Sequence, residues 1–304
     1  MRNPTKRYLF RLLLLLWTGS LSLAGCFHYP LPIESHYNKG VEFYDEGKYA
    51  QAIEEYKLEL RKNPGNLFAK YNLAVVYQDQ GKIEQAIDLY QEILQDTEDT
   101  NSRINLAAIY YSRDNRDLAY KELETAAENN RDSPEPSSAL GEYLERQESF
   151  ADAEEKYREA LKADNKHALT HYRLGRLYCK QGKTGACVEN LQKTVELNPD
   201  VPVYLEALAT ELEKRGSAYE AINLLERVSI LQPDRGEIFV RLGDLYKSEK
   251  LYREAIQRYW TALSFNSGDA DIHKSLAEIY GHLTDKEMQE LKKMEDQNSV
   301  AQTP

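Results

Sequence analysis

A small residue recurs about every 34 positions along this chain, at Gly40, Ala74, Ala107, Gly141, Gly175, Ala209, Gly243 and Ala277. Six of the seven spacings are 34 and one is 33. Twelve residues after each of the first seven stands a second small residue, at Ala52, Ala86, Ala119, Ala153, Cys187, Ala221 and Ala255. A period of this length marks a stack of helical hairpins, because one hairpin cannot bury its apolar face without neighbours. Such stacks work through an extended concave surface rather than a catalytic pocket. The net charge of −11 argues against nucleic acid as the partner, since that ligand selects a basic stripe.

The first 25 residues stand outside the periodicity. Arg2, Lys6, Arg7 and Arg11 make a basic start. The run Leu12 to Trp17 is apolar, continues through Leu21 and Leu23, and leads into Leu23-Ala24-Gly25-Cys26. That order is the layout of a secretory signal. The apolar stretch is short for a membrane span and is interrupted at Gly19-Ser20. The tetrapeptide ending in Cys26 resembles the lipobox of bacterial lipoproteins. An ordinary secretory signal with a chance cysteine, or an uncleaved anchor, is the alternative. The resemblance implies a signal peptide at 1–25, cleavage before Cys26, diacylglycerol on its thiol and a further acyl chain, such as palmitate, on the new amino terminus. More than one chain gives stable anchoring, since each buried methylene contributes ~0.8 kcal/mol. Phe27 stands where the lipoprotein family's inner-membrane retention signal has Asp, which implies an outer-membrane anchor facing the periplasm. Cleavage removes four basic residues and no acidic one, so the net charge moves from −11 to −15. Residues 26–34 form a short tether with Pro30 and Pro32, and eight such residues reach at most about 28 Å. At the other end, 297–304 reads as a flexible tail.

One unit displays the repeat in full. Leu73-Ala74 and Tyr77 fall on one helix, Gly81-Lys82 marks a turn, and Ala86, Tyr90 and Ile93 fall on a second helix. This resembles the tetratricopeptide repeat, with its Leu-Gly pair, Tyr, Ala and aromatic at set distances. The resemblance implies an all-α, right-handed helical-hairpin solenoid over 35–283. Its units lie at about 33–66, 67–99, 100–133, 134–167, 168–201, 202–235 and 236–269, with a partial unit at 270–283. A polar capping helix at 284–296 follows, opened by Thr284 with Glu287 three residues on. Phe43 and Tyr56 fill the space beside the small residues, and most of the 22 tyrosines continue these packing columns. Pro64, Pro199 and Pro233 end second helices. The segment Asp132-Ser133-Pro134-Glu135-Pro136 reads as an irregular joint between hairpins.

In this repeat family the first helices line the concave face, and their remaining positions hold ligand. In units one to three those positions are Tyr37, Val41, Tyr44, Phe68, Tyr71, Val75, Ile104, Ala108 and Tyr111. Further along they are mainly charged: Glu142, Glu145, Arg146, Glu206, Glu213, Lys214, Asp244, Lys247, Asp271 and Lys274. One end is therefore expected to present an apolar, aromatic partner-binding groove. Asn38, Asn72 and Asn105 share one column there, followed by Ala139, Arg173, Ala207, Arg241 and Ser275. The three amides are similar to the asparagine ladder of the O-linked GlcNAc transferase repeats, which hydrogen-bonds an extended peptide. The alternative is that Asn is simply common in this column. Tyr37 and Val41 stand where chaperone-tail binders carry a carboxylate clamp, which argues against that mode.

Cys179 and Cys187 flank the Gln181-Gly182-Lys183 turn and face each other across an antiparallel hairpin. In an oxidising compartment they form a disulfide; otherwise Cys187 serves as a small column residue and Cys179 as a free thiol. His167 and His171 are four apart, but no further Cys or carboxylate cluster completes a metal site with them. No phosphate-binding loop, nucleophile elbow or zinc-protease motif occurs. The expectation is a non-enzymatic, membrane-anchored adaptor or scaffold of the bacterial cell envelope, with no cofactor, metal or small-molecule substrate. It binds a protein or peptide segment and reaches the membrane through its lipid. Among repeat lipoproteins, the resemblance extends to pilotins, exopolysaccharide-export assembly factors and adaptors for cell-wall enzymes. A cell-wall hydrolase is the rival of another class, and it needs two close carboxylates, one of them strongly perturbed.

Overall fold

The computed structural model describes residues 35–283 and 287–289. The leader 1–25, Cys26, the tether to residue 34 and the tail 297–304 lie outside the described residues. So does the expected capping helix 284–296, except for 287–289, which are helical. The chain divides into two compact units, the first ending at Leu177 and the second beginning at Tyr178. In the first unit lie the hairpins α1 (His36–Asp45) with α2 (Tyr49–Lys62), α3 (Leu67–Asp79) with α4 (Ile83–Asp96), α5 (Thr100–Ser112) with α6 (Arg116–Asn129), and α7 (Pro134–Arg146) with α8 (Phe150–Ala163). Most of α9 (Ala168–Lys180) belongs to it as well. The second unit continues with α10 (Thr184–Leu197), α11 (Pro202–Lys214), α12 (Ala218–Leu231), α13 (Gly236–Ser248), α14 (Tyr252–Leu263) and α15 (Ala270–His282). Helix follows helix, and no strand occurs among the described residues.

Within each unit a second helix packs on the first helix of the next hairpin: α2 on α3, α4 on α5 and α6 on α7, then α10 on α11, α12 on α13 and α14 on α15. The small-residue columns explain the close crossings. A Cβ added at Gly40 would meet the Tyr56 ring at 2.5 Å, and one at Gly141 would meet the Tyr157 ring at 2.7 Å. Any side chain at these two positions would force the facing ring to shift. Tyr56, Tyr90, Tyr157 and Tyr259 are all fully buried, so the tyrosine column is interior packing.

Entry into the two helices of a hairpin is fixed differently. The first helices of the first three hairpins use side-chain caps, which satisfy otherwise unpaired N–H groups, whereas α7, α11 and α13 start without one. Ser35 Oγ accepts from Asn38 N–H at 3.2 Å, Asn66 Oδ1 from Ala69 N–H at 3.1 Å, and Asp99 Oδ2 from Ser102 N–H at 2.7 Å. Second helices are entered through a tight turn, as where Lys48 N–H donates to Phe43 O and Lys82 N–H to Tyr77 O, each at 2.8 Å. That turn needs one left-handed residue. Gly81 supplies it at φ 73°, whereas Asp114, Glu148 and Lys250 are forced into it at 60–61°. The segment 132–136 is not an irregular joint. Pro134 and Pro136 both fall in the first turn of α7, where a missing N–H costs no helical hydrogen bond.

Burial pushes the phenol pKa of Tyr90, Tyr157 and Tyr259 upward. A phenol that holds its proton more tightly when folded stabilises the fold below its unfolded value. That contribution is lost as pH rises through about 10. Helicity is therefore expected to hold at neutral pH and to fall above about pH 10, together with the appearance of phenolate absorbance from these rings. Circular dichroism and absorbance followed along one alkaline titration check this. Phenolate from every tyrosine with no loss of helix would contradict it.

Candidate functional site

In the first unit, α5, α6, α7 and α9 border an open cavity of about 500 Å³, counting the part that solvent reaches. Ile104, Ala107, Ala108 and Tyr111 contribute from one face of α5, at the three- and four-residue spacings that align side chains on a helix. Ala139, Glu142, Tyr143 and Arg146 do the same from α7, with Leu123 from α6 and Arg173 from α9. The space has a sequence cause. Leu123 holds the column position that carries Tyr56, Tyr90 and Tyr157 in the other hairpins of this unit. The third hairpin therefore lacks the ring that fills its neighbours, and alanines surround the gap.

One side of the cavity is aromatic. The Tyr111 and Tyr143 rings meet edge-on at 5.8 Å, and Tyr143 Oη donates to Arg116 O at 3.0 Å. Burial pushes the Tyr143 phenol up, so it stays a donor. The other side is a charged triad. Arg173, with only 7% of its side chain exposed, pairs with Glu142 and donates through Nη1 to Ser138 Oγ at 3.0 Å. Arg146 Nη2 donates to Glu142 Oε1 at 2.8 Å, and its guanidinium sits 5.4 Å from the Tyr111 ring centroid. Two guanidinium groups against one carboxylate leave this edge positive within an acidic protein. An apolar floor, two rings and a cationic rim suit a peptide segment that inserts a large side chain and offers carbonyl or carboxylate oxygens.

The expected groove residues divide sharply. Ile104 and Tyr111 line the cavity. Phe68 is exposed, and Asn38 is partly so. The remaining seven, Tyr37, Val41, Tyr44, Tyr71, Asn72, Val75 and Asn105, are buried. This departs from the expected exposed apolar face at the first three hairpins, and the hydrogen bonds give the reason. Asn72 Nδ2 donates to Tyr37 Oη at 3.3 Å. Asn105 Nδ2 donates to Tyr71 Oη at 2.9 Å and to Tyr90 Oη at 3.1 Å. Each amide ties its own hairpin to the tyrosine of the preceding one, so the column is a seam between repeats. Arg173 continues it by bonding Ser138 of the preceding repeat.

Reading the sequence missed Ala107, Leu123, Ala139, Tyr143 and Arg173 as site residues. Two signals were present: Leu123 as the first Leu in a column that begins with Tyr, and Arg173 as the first Arg in a column that begins with amides. The charged positions further along are largely neutralised in pairs, as Arg235 with Glu206, Arg241 with Glu213 and Lys247 with Glu278. Where carboxyl shifts are resolved, at Glu98, Glu237 and Glu278, each is downward. Hydrogen bonds from Arg103, Arg235 and Lys247 respectively cause them. A general acid needs the opposite shift. His167 Nδ1 lies 2.6 Å from Thr170 Oγ1, and His171 Nε2 lies 3.1 Å from Asn165 O. Across the α9–α10 turn, Cys179 and Cys187 are joined by a disulfide. No helix among the described residues is long and apolar enough to cross a membrane.

A family profile described as tetratricopeptide repeat matches residues 43–105, 79–143 and 144–210, more than half of the chain. Small glutamine-rich tetratricopeptide repeat-containing protein 2 of Mycosarcoma maydis is 31% identical over 93 residues, 31% of this chain and 26% of that protein. DnaJ homolog subfamily C member 3 of Gallus gallus is 29% identical over 103 residues, 33% of this chain and 20% of that protein. The chain thus spans about a quarter and a fifth of the length of these two curated relatives. Among solved structures, Pseudomonas aeruginosa PilF matches with a TM-score of 0.57 and 18% identity, over 70% of this chain and 97% of that one. The C-terminal part of a repeat protein from Cytophaga hutchinsonii matches with a TM-score of 0.55 and 13% identity, over 79% and 99% of the two chains. At these identities the structures report the fold alone.

Proposed function

Because this chain belongs to the tetratricopeptide repeat family, we propose that it is a protein-interaction adaptor that captures a partner's peptide segment in the cavity between its third and fourth hairpins. The observation that carries this reading is the cavity itself: an apolar floor at Ile104, Ala107 and Leu123, ringed by Tyr111, Tyr143 and Arg146. Aromatic and Arg side chains around a pocket are the residue types that dominate binding energy at protein interfaces. The cationic rim selects a segment with acidic or carbonyl groups beside its anchoring side chain.

The reading extends to the membrane through residues 1–26. A basic start, an apolar run and Leu23-Ala24-Gly25-Cys26 support acylation of Cys26 and a place in the bacterial cell envelope, on the outer membrane and facing the periplasm. Confining the repeats to a surface raises the partner's effective concentration there without any new contact.

The test is crosslinked capture from the envelope by the full chain, beside a Tyr111→Ala/Arg146→Ala form that keeps its helical circular dichroism. Loss of a hot-spot pair is expected to weaken capture by at least about 30-fold, which corresponds to about 2 kcal/mol. Equal capture by both forms would remove the cavity from the binding surface. A Cys26→Ser form is expected to leave the membrane fraction while its cavity still binds. An outer-membrane subunit among the captured species would mark an assembly factor, and a soluble periplasmic enzyme would mark a hydrolase adaptor.

A further inference from the structure

The second unit contains a chemically distinct cluster at its first turn. Cys179 lies near the end of α9, Cys187 near the start of α10, and Glu211 on α11. The two sulfur atoms and a Glu211 carboxylate oxygen all lie within 4.8 Å of one another. Cys187 is fully buried. The Glu211 side chain is 12% exposed, and its ion-pair partner is Lys214 at 2.6 Å. Lys214 is itself well exposed, so turning it into solvent forfeits a surface pair worth ~0–1 kcal/mol. In the same turn, Gln181 Oε1 is buried with no hydrogen-bond partner.

We propose that this cluster is a redox-gated metal site, which in its reduced state binds a thiophilic divalent cation of the zinc class through Cys179 Sγ, Cys187 Sγ and Glu211. Two thiolates and a carboxylate, with solvent or an amide oxygen in the fourth position, make a donor set that zinc accepts. Thiolates about 2.3 Å from a tetrahedral ion stand roughly 3.8 Å apart, inside the 4.8 Å that the three donor groups already share.

The turn does not depend on its disulfide to hold this shape. Gly182 N–H donates to Cys179 O at 3.1 Å and Lys183 N–H to Tyr178 O at 2.9 Å. The same two bonds recur without any cysteine in the first hairpin, from Gly47 to Tyr44 O at 2.9 Å and from Lys48 to Phe43 O at 2.8 Å. They recur again in the sixth, from Gly216 to Glu213 O and from Ser217 to Leu212 O, both at 2.9 Å. Reduction therefore frees the sulfurs while the backbone keeps the two cysteines opposed. An external dithiol reductant supplies the step: its own S–S bond forms, the Cys179–Cys187 bond breaks, and two protons pass to the two sulfurs. The cation then displaces both protons and holds the pair as thiolates. A bound cation would in turn shield the sulfurs from reoxidation.

The experiment uses the full chain in detergent, with Zn²⁺ titrated against a chromophoric chelator and Co²⁺ as a spectroscopic probe. The reduced chain is expected to bind one Zn²⁺ and to show a thiolate-to-cobalt absorption band, and the oxidised chain neither. Cys187→Ala restores the small residue that six other repeats carry in this column, so it is expected to fold and to lose the site. Glu211→Gln is expected to weaken binding by at least about tenfold, in line with the cost of disturbing a metal's ligand set. Equal Zn²⁺ binding by reduced and oxidised chains, or by reduced wild type and Cys187→Ala, would overturn the proposal. An unchanged affinity in Glu211→Gln would overturn the carboxylate's part in it.

Discussion

Tyr157→Ala is expected to cost about 3–5 kcal/mol, the range for deleting a fully buried aromatic side chain. Its ring is wholly buried, occupies the space that Gly141 leaves open, and places Oη 3.0 Å from Glu145 Oε2. Truncation leaves a ring-sized hole between α7 and α8, and the hairpin cannot close it because its crossing is already set by Gly141 and Ala153. A repeat array need not unfold in one step, so the measurement has to be local. Hydrogen exchange at the α7 and α8 amides is expected to accelerate by roughly two to four orders of magnitude. Tyr120→Ala is the control. Tyr120 is exposed, donates to Glu124 and has its ring 5.9 Å from that of Tyr143, so its loss is expected to change exchange far less than loss of the fully buried Tyr157. Similar exchange in the two variants would mean that the tyrosine column does not hold the hairpins together.

Glu142→Ala is expected to be comparably severe, at about 3–5 kcal/mol, because it removes one partner of a buried pair and leaves the other charge uncompensated. Arg173 is almost fully enclosed, and Arg146 then faces it as a second cation with no carboxylate between them. The effect should depend on the buried guanidinium. Adding Arg173→Met to Glu142→Ala is expected to recover most of the loss, since two facing groups replaced by apolar ones remove the desolvation penalty. A double-mutant cycle read by the same exchange experiment measures that coupling. Additive losses would show that Glu142 and Arg173 act independently and that the cavity edge is not an electrostatic unit. The double variant keeps Arg146 over the Tyr111 ring as the cation of the cavity edge, so it is expected to go on capturing the partner segment.

The repeat carried most of the fold in plain view. Small residues twelve apart located both helices of each hairpin, because only a residue without bulk lets two backbones cross against a Tyr ring. Gly47, Gly81, Gly182 and Gly216 marked four of the turns. Asp114, Glu148 and Lys250 adopt the same left-handed conformation at some cost. Their turns were legible only from the period, since tertiary packing rather than local preference imposes that backbone. The prolines at 134 and 136 misled for a related reason. Proline reads as a breaker unless its position within the helix is known.

The site was less legible. A helix face can be assigned from spacing, but whether it opens to solvent depends on what the neighbouring hairpin places against it. Asn72 and Asn105 have the type and spacing of peptide-binding amides. Their N–H groups go instead to the phenols of Tyr37, Tyr71 and Tyr90, inside the stack. The cavity arises where the column changes from Tyr to Leu123, and such a gap becomes space only when the surrounding side chains are too short to fill it. By itself, then, the sequence determined the helical hairpins, their number and order, and the residues that face inward. Only the tertiary structure decided which inward positions are sealed and which stay open, because burial is a property of the stack of hairpins and not of any one of them.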